Sequence, residues 1–141
     1  MPAVIAILEL GNAFKVMAML HILSTIAAFG PLFLYPALRR ASETKAMAAM
    51  HMRLTFPALV VVWVLGMGLA GMSNDAYEMS QTWLALSLLN WAILMAVSWF
   101  LIRPAITDQS KSALARLSAG TGLTHVGLII GLALMVWKPG I

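Results

Sequence analysis

The chain of 141 residues contains no cysteine. That absence excludes a disulfide scaffold, thiolate catalysis and iron–sulfur ligation, and it leaves the redox compartment open. Charge is also scarce. Nine Lys and Arg with five Asp and Glu make up 10% of the residues, against about 25% in an ordinary soluble domain. So few charged groups cannot cover the surface of a water-soluble monomer, and the composition equally excludes a disordered chain. The net charge of +4 and the pI near 10.0 would point to nucleic acid only if the cations shared one solvated face. Here they are spread between apolar blocks, so no nucleic-acid partner is expected.

What fills the chain is apolar: 62% hydrophobic residues and a mean hydropathy of +0.92. A bilayer core of roughly 30 Å requires about 20 apolar residues in a helix. Four runs meet this, Val16–Tyr35, Leu54–Met72, Trp83–Ile102 and Ala119–Trp137. Buried helices of a soluble bundle would need polar outer faces at helical spacing, and these blocks are apolar on every side. The expected fold is all-α: a single integral membrane domain over residues 1–141, built as a four-transmembrane-helix bundle. Between the runs lie turn-forming segments, where Ser42 and Ser110 read as N-cap residues. Gly30 with Pro31 should kink the first helix. Met1–Leu10 reads as a short interfacial helix, and no basic n-region or cleavage site marks a signal peptide.

The cations give a topology. The first and third breaks with their flanks carry Arg39, Arg40, Lys45, Arg53, Arg103, Lys111 and Arg116, whereas only Lys15 and Lys138 lie near the other ends of the runs. Seven against two predicts both termini outside and the first and third loops in the cytoplasm. Trp83 and Trp137 then fall at the outer interface and Tyr35 near the inner one.

Strongly polar residues inside a span are functional candidates by default. There are three, His21, Asn90 and His125, with His51 and Arg53 at the mouth of the second run. No carboxylate lies in a span, which argues against a carboxylate proton relay or a cation transporter. By helical rise, His21 lies roughly 7 Å to the outer side of its midpoint and His125 roughly 4 Å to the inner side of its own. This places the two as candidate partners in height. Both sit on stripes of small residues, with Met17, Ala18, Ser24, Thr25 and Ala28 near His21, and Ser118, Thr121 and Gly122 near His125. The functional reading is axial ligation of a b-type haem between helices. The plain reading is a hydrogen bond from each ring to Ser24, Thr25, Thr124 or Asn90. Gly66, Gly68, Gly71, Gly127 and Gly131 fit close helix packing, and Asn90 fits a packing hydrogen bond near His125.

Eleven methionines open a copper reading, since thioether sulfur with imidazole suits Cu(I). Met50-His51-Met52 is compact, with Met47 one turn before it, and Met17 and Met19 flank His21. Residues 50–52 point in three directions on a helix, however, and methionine is ordinary apolar filler. Arg53 and Lys15 read as snorkelling anchors or as clamps for a carboxylate such as a haem propionate.

Leu20-His21-Ile22 with Phe29-Gly30-Pro31-Leu32-Phe33-Leu34-Tyr35-Pro36 resembles the first helix of small four-helix bacterial membrane proteins, the HemJ-type protoporphyrinogen IX oxidases and their CopD-like and uncharacterised relatives. Met52-Arg53-Leu54 with Phe56-Pro57-Ala58 is similar to their second helix, and Trp137-Lys138-Pro139 to a HemJ-type C-terminus. The resemblance implies a haem site on His21 and redox chemistry on a porphyrinogen, or in the CopD-like branch a copper role. The segment Trp83–Leu89, which resembles the family's third helix, holds no lysine where the oxidases carry one. The sequence thus leads to a haem b membrane protein of electron transfer or haem-linked redox chemistry. The alternatives are a non-catalytic small subunit, in a homo-oligomer or a larger membrane complex, and a copper uptake or resistance protein.

Overall fold

A computed structural model describes residues 11–140; the expected interfacial helix at Met1–Leu10 lies outside them. The described residues form helices and turns without a strand. Four continuous helical segments are each long and apolar enough to cross a membrane: α1 (Asn12–Arg40), α2 (Thr44–Gly71), α3 (Thr82–Thr107) and α4 (Lys111–Trp137), of 29, 28, 26 and 27 residues. Each exceeds the apolar run that predicted it. At about 1.5 Å per residue such a helix spans roughly 40 Å, the whole bilayer with its headgroup layers. The basic residues therefore stand mostly on helix ends rather than in loops.

The helices alternate in direction. α1 packs most extensively on α2 and α3 on α4, with further contacts between α2 and α3 and slight ones between α1 and α4. Arg39, Arg40, Lys45, Arg103, Lys111 and Arg116 gather at one end of the bundle, with Arg53 a few turns in, hereafter the basic end. The buried apolar core fills that half: Phe29, Leu32 and Tyr35 of α1, Met47, Ala58 and Leu59 of α2, Ile102 and Ile106 of α3, and Leu117 of α4. In the opposite half, helix-facing residues such as Met17, His21, Gly66, Gly68, Asn90 and Gly131 are only half-buried.

Local chemistry explains the breaks. At Gly30 and Pro31, where a kink is expected, α1 tightens into a 3-10 turn over Gly30–Phe33 with proline in its first turn. α2 and α3 each contain a wide π turn, at His51–Thr55 and Val97–Ile102. Each turn ends two residues before a proline, Pro57 or Pro104. A proline inside a helix loses one hydrogen bond and crowds the carbonyl four residues back, and a widened turn relieves both. The N–H groups of Phe56 and Arg103 bond instead to the carbonyls of His51 and Ser98, five residues back.

Ser110 caps α4 as expected, accepting from the Ala113 N–H at 3.2 Å. Ser42 does not cap α2. It takes the left-handed region (φ 60°), with Ser42 N–H on Arg39 O at 3.0 Å and Glu43 N–H on Leu38 O at 2.9 Å. This is the Schellman ending of α1, and the tight connection leaves Glu43 at the N-cap position. Arg39 then closes the C-terminus of α3, donating to the carbonyls of Ile106 at 3.3 Å and Asp108 at 3.1 Å.

The Ser110 N–H donates to the Asp108 carboxylate at 2.8 Å, and Arg116 lies 3.4 Å from it. The Ser110 hydrogen bonds, with a smaller contribution from the Arg116 charge, hold this carboxyl below its usual range. A lowered carboxyl stabilises the fold above its ordinary pKa, and that stability is lost as pH falls through the lowered value. Asp108→Asn is therefore expected to lower the melting temperature slightly at pH 7, with the gap to the parent closing as pH falls below about 4. Thermal scans in detergent across that range check it.

Candidate functional site

The structure gathers buried polar groups in one place, and it is not the pair the sequence singled out. Tyr35, His51, Thr55 and Ser98 are each at most 2% exposed. They meet where the two π turns of α2 and α3 face one another beside α1. The Tyr35 hydroxyl lies 2.9 Å from His51 Nδ1 and 3.4 Å from Thr55 Oγ1. His51 Nε2 lies 3.2 Å from the Ser98 carbonyl and 3.1 Å from its hydroxyl. Either neutral tautomer satisfies the ring. With Nε2 protonated, it donates to the carbonyl and Nδ1 accepts from Tyr35. With Nδ1 protonated, it donates to Tyr35, which donates to Thr55, while the Ser98 hydroxyl donates to Nε2. The widened turn of α3 leaves the Ser98 carbonyl with the Arg103 N–H and the histidine as its partners. Both nitrogens of His51 are thus engaged, and neither is left for a metal in this arrangement. Proline after a polar residue in an apolar block was the available sequence signal, while Tyr35, Thr55 and Ser98 carried none of their own.

His21 is placed differently. Its imidazole lies against Gly66 of α2, where an added Cβ would stand 3.2 Å from Cε1. Nδ1 is buried without a hydrogen-bond partner. The hydroxyls of Ser24 and Thr25 bond to the backbone carbonyl of His21, at 2.8 and 2.9 Å, the usual habit of these residues within a helix. Neither reaches the ring. His125 also keeps a buried, unpartnered nitrogen, Nε2, and stacks on Phe33 of α1 with centroids 4.3 Å apart. Thr124 bonds to Gly120 O at 2.8 Å and Asn90 to Gly127 O at 2.9 Å. Asn90 is therefore a packing tie between α3 and α4, bonded to Gly127, two residues from His125, and not to the His125 ring.

The two orphaned rings are not level. Phe33, which marks the height of His125, stands twelve residues along α1 from His21, roughly 18 Å at 1.5 Å per residue. Two imidazoles on one metal hold their nitrogens roughly 4 Å apart, twice a metal–nitrogen bond. The expectation that the pair matches in height has no support here: His21 lies against Gly66 of α2 and His125 against Phe33 of α1. Arg53 is exposed on the wide turn of α2, about 20 Å along that helix from Gly66, so it does not reach the neighbourhood of His21. Lys15 is exposed on α1, about 9 Å from His21 toward the helix start. Among the described residues, no three His, Asp or Glu side chains converge as a metal-binding group.

The opposite end is clasped by the C-terminal segment. Lys138 Nζ donates to the Tyr77 hydroxyl at 2.8 Å and lies over the Tyr77 ring, while the Trp83 N–H donates to Pro139 O at 3.2 Å. No protein-family model, curated protein or solved structure matches the chain.

Proposed function

We propose that this chain is a multi-pass protein of a bacterial inner membrane, with both termini outside, that binds one haem b through His21 and serves electron transfer or haem-linked redox chemistry. One observation carries the reading: His21 Nδ1 is a buried imidazole nitrogen without a well-formed hydrogen bond. The Val62 carbonyl of α2 is the backbone group near the ring, and the nitrogen is set in the half of the bundle that packs loosely. An unsatisfied polar atom within a membrane costs several kcal/mol by order of magnitude, and an axial ligand bond would satisfy it. The donor type fits haem iron, and the half-buried Met17, Ser24 and Gly68 of the same two helices leave room beside the ring. His21 would be the residue that holds the haem, without help from His125, which stacks on Phe33. Lys15 is the cation suited to a propionate. The haem when bound would supply one-electron chemistry, and the chain would orient it and exclude water.

The protein purified in detergent is expected to show a Soret band that His21→Ala removes and His125→Ala leaves in place. A colourless preparation without haem by pyridine hemochrome assay would overturn the proposal. The same loose half favours a second reading, a small subunit whose open faces a partner's helices close. That reading expects co-purification with a larger complex in mild detergent.

A further inference from the structure

The basic end carries a groove that neither the buried network nor the loose half accounts for. It lies between α2 and α3, has a volume of about 540 Å³, and is walled by Ala48, Met52, Trp99, Phe100, Arg103 and Thr107, with His51 beneath. That volume falls within the usual range for small-molecule sites, about 300–1,000 Å³. Its chemistry is divided along the membrane normal. Phe100, 73% exposed, and Met52, 37% exposed, face outward from the apolar part. One turn further toward water, the Arg103 guanidinium sits 4.0 Å over the Trp99 ring. Trp99 is itself braced by Phe56 at 5.1 Å. A guanidinium stacked flat on a ring keeps its N–H edge free for a flat or tetrahedral anion. No carboxylate lines the groove, and the one ion pair among the described residues is Arg116 with Asp108. The cation lies over Trp99 and meets no carboxylate.

We propose that this groove is a binding site for an acidic glycerophospholipid, with the phosphodiester on the Arg103 edge and an acyl chain along Met52 and Phe100. A basic pocket between transmembrane helices at headgroup depth is the arrangement that holds anionic lipid heads. Free phosphate would use the guanidinium alone and leave the apolar wall empty. A neutral lipid would use the wall and leave Arg103 unpaired. Only an acidic lipid answers both. The inference is independent of haem.

The full chain in neutral detergent, offered equal phosphatidylglycerol and phosphatidylcholine of identical acyl chains, tests it by native mass spectrometry. Retention is expected to favour phosphatidylglycerol by roughly fivefold, about what one cation at the membrane surface contributes. Arg103→Gln is expected to bring the ratio to near one, and Arg53→Gln to leave it unchanged. Met52→Trp, which fills the groove and keeps every charge, is expected to remove retention of both lipids, and it carries the test if Arg103→Gln fails to fold. Millimolar inorganic phosphate should not displace the lipid. Equal retention in the parent protein, equal losses in Arg103→Gln and Arg53→Gln, undiminished retention in Met52→Trp, or displacement by phosphate would each overturn the proposal.

Discussion

His51→Ala is expected to be the most damaging substitution in the bundle, lowering stability by roughly 3–5 kcal/mol through a cavity in the buried half and broken hydrogen bonds. The ring is fully buried and bonded on both nitrogens, to Tyr35 and Ser98. Alanine leaves the Tyr35 hydroxyl with only the long 3.4 Å contact to Thr55 and strips the Ser98 hydroxyl of its imidazole. Neither group can turn to water. His51→Gln, which keeps a donor and an acceptor on a side chain of similar reach, should recover part of the loss. Tyr35→Phe should cost about 1–2 kcal/mol, because it orphans one ring nitrogen without opening a cavity. Melting temperatures of the detergent-solubilised variants, followed by circular dichroism, check the ranking. If His51→Ala melts with the parent protein, the network does not hold α1, α2 and α3 together.

Gly127→Leu is expected to separate α3 from α4, at a cost of about 2–3 kcal/mol from overpacking. A Cβ at Gly127 collides with Leu94 Cδ2 and stands 3.0 Å from Leu94 Cγ. The same residue's carbonyl receives the Asn90 amide at 2.9 Å, so pushing the helices apart also breaks that tie. Leu94 is itself buried, at 4% exposed, so it must shift within the packed interface. Gly122 on the same helix provides the control. Nothing lies within 4 Å of its added Cβ, and Gly122→Leu should leave stability within about 1 kcal/mol. Equal melting points for the two variants would show that the α3–α4 contact is not set by the glycine.

The plain packing reading of Gly66, Gly68 and Gly127 was legible in the sequence, since small residues on apolar helices allow close approach. Which neighbour each would meet was not. Gly68 receives Met17, Gly66 receives His21, and Gly127 receives Leu94, and only the pairing of helices decides this. The hydroxyls near the histidines show a second limit. Ser24, Thr25 and Thr124 had the right spacing to serve the rings, yet each bonds to its own helix's backbone, because that carbonyl is always within reach and a ring is not. Arg39 shows a third. Its place in the sequence marked an end of the bundle, and the fold added a task, closing the carbonyls at the end of α3.

By itself the sequence determined the helical class, the number of long apolar helices, the separation of basic from neutral ends, and a short inventory of polar groups. All of these depend on composition and on runs along the chain, which need no knowledge of what packs against what. The tertiary structure alone decided which polar groups share a site. On a helix each step of one residue turns a side chain by about 100°, and helices that are apolar on every side give no sign of which face turns inward. His51, placed by sequence at the membrane mouth, therefore becomes the buried centre of a network with Tyr35, Thr55 and Ser98. His21 and His125, alike in sequence, end against different partners, Gly66 of α2 and Phe33 of α1.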